Sequence, residues 1–251
     1  AADAMIAGSV HDVLTEFPGW QGVKLVVALS QGTPWLLVVR ADLAVNQGDL
    51  NAVKGLRLTA ARGPDLALRK MLIDANIDPD RDLRILELPG AKARDVSFGV
   101  FAAHALEEGK IDGFWANAMG GETAVRRGVG KTLVDVRRGD DPTDVRHFTF
   151  AGLATTEAQI ERDAETVGAA VRPIVKTQKA LRADPTLAAE VGRRKFPEEA
   201  AELITTIVER DLAFYDPVIY EETVAGLSRF AQSIGHLSRP EPYEQVVAVR
   251  F

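Results

Sequence analysis

The stretch from residue 55 to residue 73, GLRLTAARGPDLALRKMLI, constrains the fold more than any other part of the chain. Its first part, LRLTA, predicts a short strand, and RGPD predicts a tight turn. From Leu66 onward, apolar residues recur at the spacing of one helix face. Proline is favoured just inside a helix start, and glycine permits a sharp turn of the backbone. The stretch therefore predicts one βα unit.

The turn of this unit consists of Arg62, Gly63, Pro64 and Asp65. A helix start of this kind offers N–H groups to the oxygens of a ligand, and Asp65 suits the positive end of the helix dipole. The same turn occurs in any βα unit. Taken alone, these residues leave open whether the turn binds a ligand or only connects a strand to a helix.

The rest of the chain repeats this alternation up to about residue 150. Strands are predicted at 22–29, 35–40, 83–88, 111–115 and 132–136, and helices at 95–108 and 122–127. Strands alternating with helices at this spacing predict an α/β fold with a parallel sheet. Nearly continuous helix from residue 156, including 164–182, predicts a helical tail. At the start, AADAMIAGSVHD predicts the end of a helix closed by Gly8.

Composition excludes several classes of function. The net charge is −6, the pI is near 5.4, and the basic residues are scattered, so nucleic acid is not an expected partner. The chain has no cysteine, which excludes disulfides and a thiolate nucleophile within it. No apolar run is long enough to cross a bilayer, and no signal-peptide profile is present. The chain is either cytosolic or shown without its targeting segment.

Motifs of catalysis and cofactor binding are also lacking. The segment GVGKT at 128–132 has Val125 where a phosphate-binding loop requires glycine, and a strand follows it where a helix is needed. The histidines have no partner at metal-ligand spacing, and no G-x-S-x-G elbow occurs. We therefore expect no metal, no cofactor and no catalytic residue.

The order of motifs resembles a known family. LVVALSQGTPWLLVVRADL, then GLRLTAARGPDLALRKMLIDANIDP, then ALEEGKIDGFW, and finally KALRADPTLAAEV in a helical tail, are similar to the substrate-binding proteins of ABC transporters. The nearest branch serves sulfonates, taurine, nitrate-like anions, aromatic acids and thiamine-pyrimidine precursors. The resemblance covers nearly the whole chain, although each motif is loose.

The resemblance implies a type II periplasmic-binding-protein-like α/β fold, with two α/β lobes, a hinge and a helical C-terminal tail. Lobe 1 would comprise residues 1–38 and 147–251, and the inserted lobe 2 residues 39–146. Crossing strands would lie at 33–40 and 148–154. Relative to the family, roughly seventy or more residues of the N-terminal lobe are missing, on domain-size grounds. We therefore expect lobe 1 to be incomplete.

The resemblance also implies which residues face a ligand in the cleft between the lobes. Without it, residues 30–33 fit a hydrophilic turn equally well, and Trp115 fits the core. The predicted ligand-binding residues are Ser30, Gln31, Gly32, Thr33, Arg62, Gly63, Pro64, Asp65, Trp115 and Asn117.

The function implied is capture of a small organic acid, a sulfonate or a pyrimidine-like molecule by a monomer that closes by hinge bending and presents the solute to a membrane permease. Such a protein is not an enzyme and works in the periplasm or another extracytoplasmic space. Two alternatives stay open. One is an enzyme on the same fold, a pyrimidine-precursor synthase or an aromatic sulfinate desulfinase, which would need a cysteine or a histidine cluster. The other is a ligand-sensing regulatory domain.

Overall fold

The computed structural model describes residues 5–91, 97–141 and 144–251. It divides into two compact units. Unit 1 comprises Ala1–Thr33 and His147–Phe251, and unit 2 comprises Pro34–Arg146. The chain therefore passes from unit 1 into unit 2 after Thr33 and returns after Arg146.

Strands occur in both units. In chain order they are β1 (Met5–Ser9), β2 (Val23–Ser30), β3 (Trp35–Arg40), β4 (Arg57–Ala60), β5 (Arg84–Leu86), β6 (Gly113–Asn117), β7 (Gly130–Asp135) and β8 (Ala151–Thr156). The helices are α1 (Val10–Glu16), α2 (Pro64–Asp74), α3 (Phe98–Glu107), α4 (Ala118–Arg126), α5 (Glu157–Arg162), α6 (Ala164–Ala183), α7 (Leu187–Lys195), α8 (Glu198–Asp211), α9 (Glu221–Ser233) and α10 (Tyr243–Val246). Part of the predicted helix at 95–108 lies outside the described residues.

Unit 2 is built on a mixed sheet with the strand order β5-β4-β6-β3-β7. Strand β4 runs parallel to β5 and β6, whereas β3 runs antiparallel to β6 and β7. The expectation of a purely parallel sheet is therefore wrong for β3. The predicted lobe boundary at residue 38 falls inside β3, and all the strand pairs of β3 lie in unit 2.

Side chains of β3 pack on both faces of this sheet. Leu36, Leu37 and Val38 are each 3% exposed or less, as expected for a central strand covered by helices. Helices α3 and α4 pack so closely that a Cβ atom added to Gly120 would lie 2.5 Å from the Cα of Gly99. Only glycine fits at this crossing, which fixes the position of both helix starts.

Unit 1 contains an antiparallel sheet of described strands in the order β1-β8-β2. The expected helix end closed by Gly8 is wrong, because Gly8 lies in strand β1 opposite Gly152 and helix α1 begins after it. The predicted helical tail is confirmed by α5–α10, and α6 continues through Pro173. In the part of the chain that the structure describes, no helix combines the length and apolarity that crossing a membrane requires.

Candidate functional site

Helices α2 and α4 begin at the same edge of the unit 2 sheet, where strands β4 and β6 have their carboxyl ends. Ala60, the last residue of β4, pairs with Trp115 near the end of the parallel strand β6. The α2 turn and the α4 start each follow within a few residues. Because neighbouring strands lie about 4.8 Å apart, these two connections are adjacent at one edge of the sheet.

The N–H groups at the start of α2 already donate hydrogen bonds within the turn and the helix. The Gly63 N–H donates to Oδ1 of Asp65 at 2.9 Å, and the amides of Asp65 and Leu66 donate to the carbonyls of Ala61 and Gly63. Pro64 has no N–H to offer. The expectation that this helix start offers free amides to a ligand is therefore wrong, because the Asp65 carboxylate and local carbonyls accept them.

The shape of the turn is set by Gly63 and Trp115. Gly63 has φ 96°, a conformation that favours glycine. The Trp115 indole is 0% exposed, and its N–H donates to the Pro64 carbonyl at 3.1 Å. Its ring lies 5.8 Å from that of Trp35, at an angle of 58°. We correct our assignment of Trp115 from a ligand contact to a residue that holds the turn, because it has no exposed surface to offer.

Arg62 is the cation that this turn presents to solvent. Its side chain is exposed, and within the described ranges its guanidinium has neither a hydrogen bond nor an ion pair. The nearby Asp65 carboxylate is directed back to Gly63 and lies 3.9 Å from Nε of Arg69. An unpaired guanidinium keeps its full donor set for a carboxylate, sulfonate or phosphate.

The start of α4 has open amides. Asn117 is exposed and caps the helix by accepting from the Gly120 N–H at 3.4 Å. The N–H groups of Ala118 and Met119, the first two of the helix, donate to no acceptor among the described residues. A helix N-terminus favours negative charge, so these amides and the Asn117 amide suit an anionic group.

Helix α4 is the part of the site that the sequence prediction missed. The predicted helix at 122–127 begins four residues after the observed start at Ala118, and glycines such as Gly120 and Gly121 disfavour helix. The signal that could have located the start was Asn117, a preferred N-cap residue placed directly after a strand. Glycine fits at both positions because a larger side chain would meet α3 or Leu36.

Two of the predicted ligand-binding residues of unit 1, Gln31 and Thr33, form hydrogen bonds with its backbone. The Gln31 side chain donates to the carbonyls of Asp216 and Val218 at 2.9 and 2.7 Å. Thr33 is 0% exposed, and its hydroxyl exchanges hydrogen bonds with the backbone of Thr149. Gly32 has φ 68°, and Ser30, at 6% exposure, ends β2. We correct Thr33 from a ligand contact to structural support, because it is buried and bonded.

Other clusters of polar residues do not extend the site. The described residues contain no group of His, Asp and Glu suited to a metal ion. In unit 1, His11 Nδ1 lies 3.3 Å from Thr149 Oγ1, and His11 Nε2 lies 3.1 Å from Asp12 Oδ1 without a hydrogen bond between them. Thr149 and His11 are each 1% exposed. The hydroxyl is therefore closed to a substrate in this conformation.

An ion pair stabilises the unit 2 sheet away from the candidate site. Asp112, at the start of β6, accepts from the Arg57 Nε and Nη2 groups at 2.9 and 3.0 Å and lies 3.5 Å from Arg40. The hydrogen bond from Arg57 lowers the pKa of the Asp112 carboxyl. This cluster lies at the amino end of β6, opposite the edge with Arg62, and its cations are already paired.

Comparisons with known proteins identify the family and the fold. The NMT1-like family model matches residues 44–194, more than half of the chain. No curated protein matches the chain significantly. The periplasmic aliphatic sulphonate-binding protein SsuA from Escherichia coli is similar in structure, with TM-score 0.70, 10% identity, and coverage of 97% of this chain and 74% of that one.

Two further structures have the same fold. The alkanesulfonate-binding protein SsuA from Xanthomonas axonopodis pv. citri, bound to MOPS, has TM-score 0.67, 13% identity, and coverage of 98% and 78%. A mutant of DSZB in complex with biphenyl-2-sulfinic acid has TM-score 0.68, 13% identity, and coverage of 97% and 82%. At these identities the likeness shows the fold alone.

The chain spans from 61% to 83% of the length of the solved structures that it resembles. The family match bears out the predicted branch, and the α/β architecture and these structures bear out the type II periplasmic-binding-protein fold. The chain belongs to the NMT1-like family.

Proposed function

We propose that the chain is the solute-binding component of an ABC-type importer and captures a small organic anion outside the cytoplasm. The observation that carries this proposal is the Arg62 guanidinium, which has no partner among the described residues, at the sheet edge where the first two amides of α4 have no acceptor in those residues either. Two proteins of the same fold are sulfonate-binding proteins, one of them bound to MOPS, and this supports the same class of solute. A membrane permease would be its partner.

The chemistry of the edge favours an anionic head group. The guanidinium of Arg62 would supply charge-assisted hydrogen bonds, and the amides of Ala118 and Met119 would add neutral donors aligned with a helix dipole. Asn117 is exposed beside them and would contribute its side-chain amide. A carboxylate or sulfonate fits this donor-rich set, because its oxygens accept several hydrogen bonds at once.

The desulfurization enzyme DSZB has the same fold, so architecture alone does not separate binding from catalysis. The residues favour binding. The sequence contains no cysteine, and the Thr149 hydroxyl and the His11 imidazole described above are both buried. The enzyme therefore stays a second candidate with weaker support in the side chains.

The proposal is tested by calorimetric titration with alkanesulfonates, aromatic carboxylates, nitrate and pyrimidines. At least one anion should bind and be recovered chemically unchanged. Arg62→Ala should then weaken its binding by about 1.5–3 kcal/mol, roughly ten- to hundredfold, because a charge-assisted interaction is lost.

Arg84→Ala provides the matched control. Arg84 is exposed in the same unit but opens β5 at the opposite edge of the sheet, where it pairs with Arg57 in register. Its replacement should leave affinity unchanged. Equal affinities for the Arg62 variant and the wild type would remove Arg62 from the site. Conversion of the anion into a product would contradict the binding role and favour the enzyme.

A further inference from the structure

Helix α6 of unit 1 carries a row of cations that the proposed solute site does not use. Arg172, Lys176, Lys179 and Arg182 follow one another at four-, three- and three-residue spacing and are all exposed. On a helix this spacing keeps side chains on one side, and the row extends about 15 Å along the axis. We call these four residues the basic stripe.

Helix α6 itself carries no acidic residue between the four cations of the stripe. Residues 166–183 contain no Asp or Glu, although the chain as a whole has a net charge of −6. Arg172 pairs with Glu165 at 2.9 Å, and Arg182 donates to the neutral carbonyl of Tyr215. Lys176 and Lys179, at the centre, have no partner in the described part of the chain.

The buried side of α6 fixes the orientation of the stripe. Val167 and Val171 are buried, and the side chain of Gln178 donates to the carbonyls of Ala28 and Leu29 of unit 1 at 3.0 and 2.9 Å. Buried packing and hydrogen bonds therefore hold the helix in one rotation. The stripe is a fixed, linear array of charge.

The lack of exposed apolar residues on α6 distinguishes between an acidic protein and an anionic lipid surface as the partner of the stripe. None of the large apolar side chains found exposed in the described residues belongs to α6. A stable protein–protein interface normally has an apolar core that excludes water. A plane of anionic phospholipid headgroups needs only cations near the surface, each of which contributes separately. The absence of an apolar core therefore favours a lipid surface.

We propose that the basic stripe of α6 binds the surface of an anionic phospholipid bilayer. The contact is electrostatic and leaves the hydrocarbon layer untouched. It weakens with salt, because the Debye length falls from about 30 Å at 0.01 M to about 10 Å at 0.1 M ionic strength. This inference does not depend on which solute the protein captures.

The test is co-sedimentation of the whole chain with vesicles of phosphatidylglycerol and phosphatidylcholine, compared with phosphatidylcholine alone, at low and high salt. Binding to the anionic vesicles should exceed binding to the neutral ones and disappear at high salt. Lys176→Glu with Lys179→Glu should weaken binding by at least about tenfold, since each cation contributes about fivefold.

A matched control changes the same charge elsewhere. Lys54→Glu with Arg84→Glu reverses two exposed cations of unit 2 that have no partner among the described residues. This pair should retain most of the vesicle binding. The proposal is overturned if the wild type binds anionic vesicles no better than neutral ones, or if both pairs lose binding equally. Stripe-dependent binding to soluble polyglutamate without binding to vesicles would also overturn it, and would indicate an acidic protein partner.

Discussion

Replacing Trp115 by phenylalanine tests whether the indole holds the turn that presents Arg62. The change removes the N–H that donates to the Pro64 carbonyl at 3.1 Å and reduces the volume of a side chain that is 0% exposed. The lost hydrogen bond should contribute about 1 kcal/mol and the smaller ring about 1–3 kcal/mol to a lower free energy of unfolding.

Trp20→Phe in unit 1 provides the control. Trp20 is also buried, at 1% exposure, but its indole N–H has no hydrogen-bond partner in the described residues. Its replacement removes similar volume without breaking a hydrogen bond. In urea titrations followed by circular dichroism, Trp115→Phe should therefore be more destabilising than Trp20→Phe by about 1 kcal/mol.

Ligand titration separates support of the turn from general stability. Trp115→Phe should weaken anion binding while the protein is still folded, because the backbone that carries Arg62 loses a fixed contact. Trp20→Phe should leave affinity unchanged. If the two variants have the same stability and the same affinity, the Trp115 hydrogen bond does not hold the site.

Three other substitutions test neighbouring parts of the account. Gly120→Ala should lower the melting temperature strongly, since the added Cβ would lie 2.5–2.6 Å from backbone atoms of α3. Gly8→Ala, with open space around the added Cβ, should not lower it. Equal shifts for the two variants would contradict this packing. Asp65→Asn should tighten anion binding in calorimetry, because it removes a negative charge that repels an anion near Arg62, while the amide oxygen can still accept from Gly63. Weaker binding would show that the carboxylate helps the ligand. Asp112→Asn should lower the melting temperature at pH 7, because the Arg57 hydrogen bond depresses the folded pKa of this carboxyl. The resulting stability is fully present above the unfolded pKa and is lost as the pH falls through the lower folded pKa. The gap should close as the pH falls below about 4, and a gap that persists there would refute this origin.

Much of the fold was predictable because local patterns and tertiary packing agree. Strand β3 has its predicted bounds, since an apolar run of five residues between turn signals fits a strand buried on both faces. The start of α2 was predictable from Pro64. The direction of β3 was not, because the order and orientation of strands depend on contacts between distant segments.

Local propensity failed where close packing decides the structure. Glycine disfavours helix, yet Gly120 and Gly121 lie in the first turn of α4, where the backbone of Gly99 and the side chain of Leu36 leave little room for larger residues. Gly8 indicated a helix end, yet it lies in a strand opposite another glycine. At Gly120 and Gly121 the absence of a side chain matters rather than backbone freedom, whereas Gly8 has open space around it.

The site was predictable as a region but not as a set of contacts. The sequence located the turn at Arg62 and the end of β6, and both lie at one edge of the unit 2 sheet. It could not reveal that Asp65 accepts the amide of Gly63, or that Trp115 points inward to Pro64. Such hydrogen bonds depend on side-chain directions that strand and helix patterns do not specify.

The most direct test of the central claim is a crystal structure of the protein with the anion that binds most tightly in the titrations. The account predicts an anionic oxygen within about 3.2 Å of the Arg62 guanidinium and of the amide of Ala118 or Met119. An anion bound without contact to either group would contradict it.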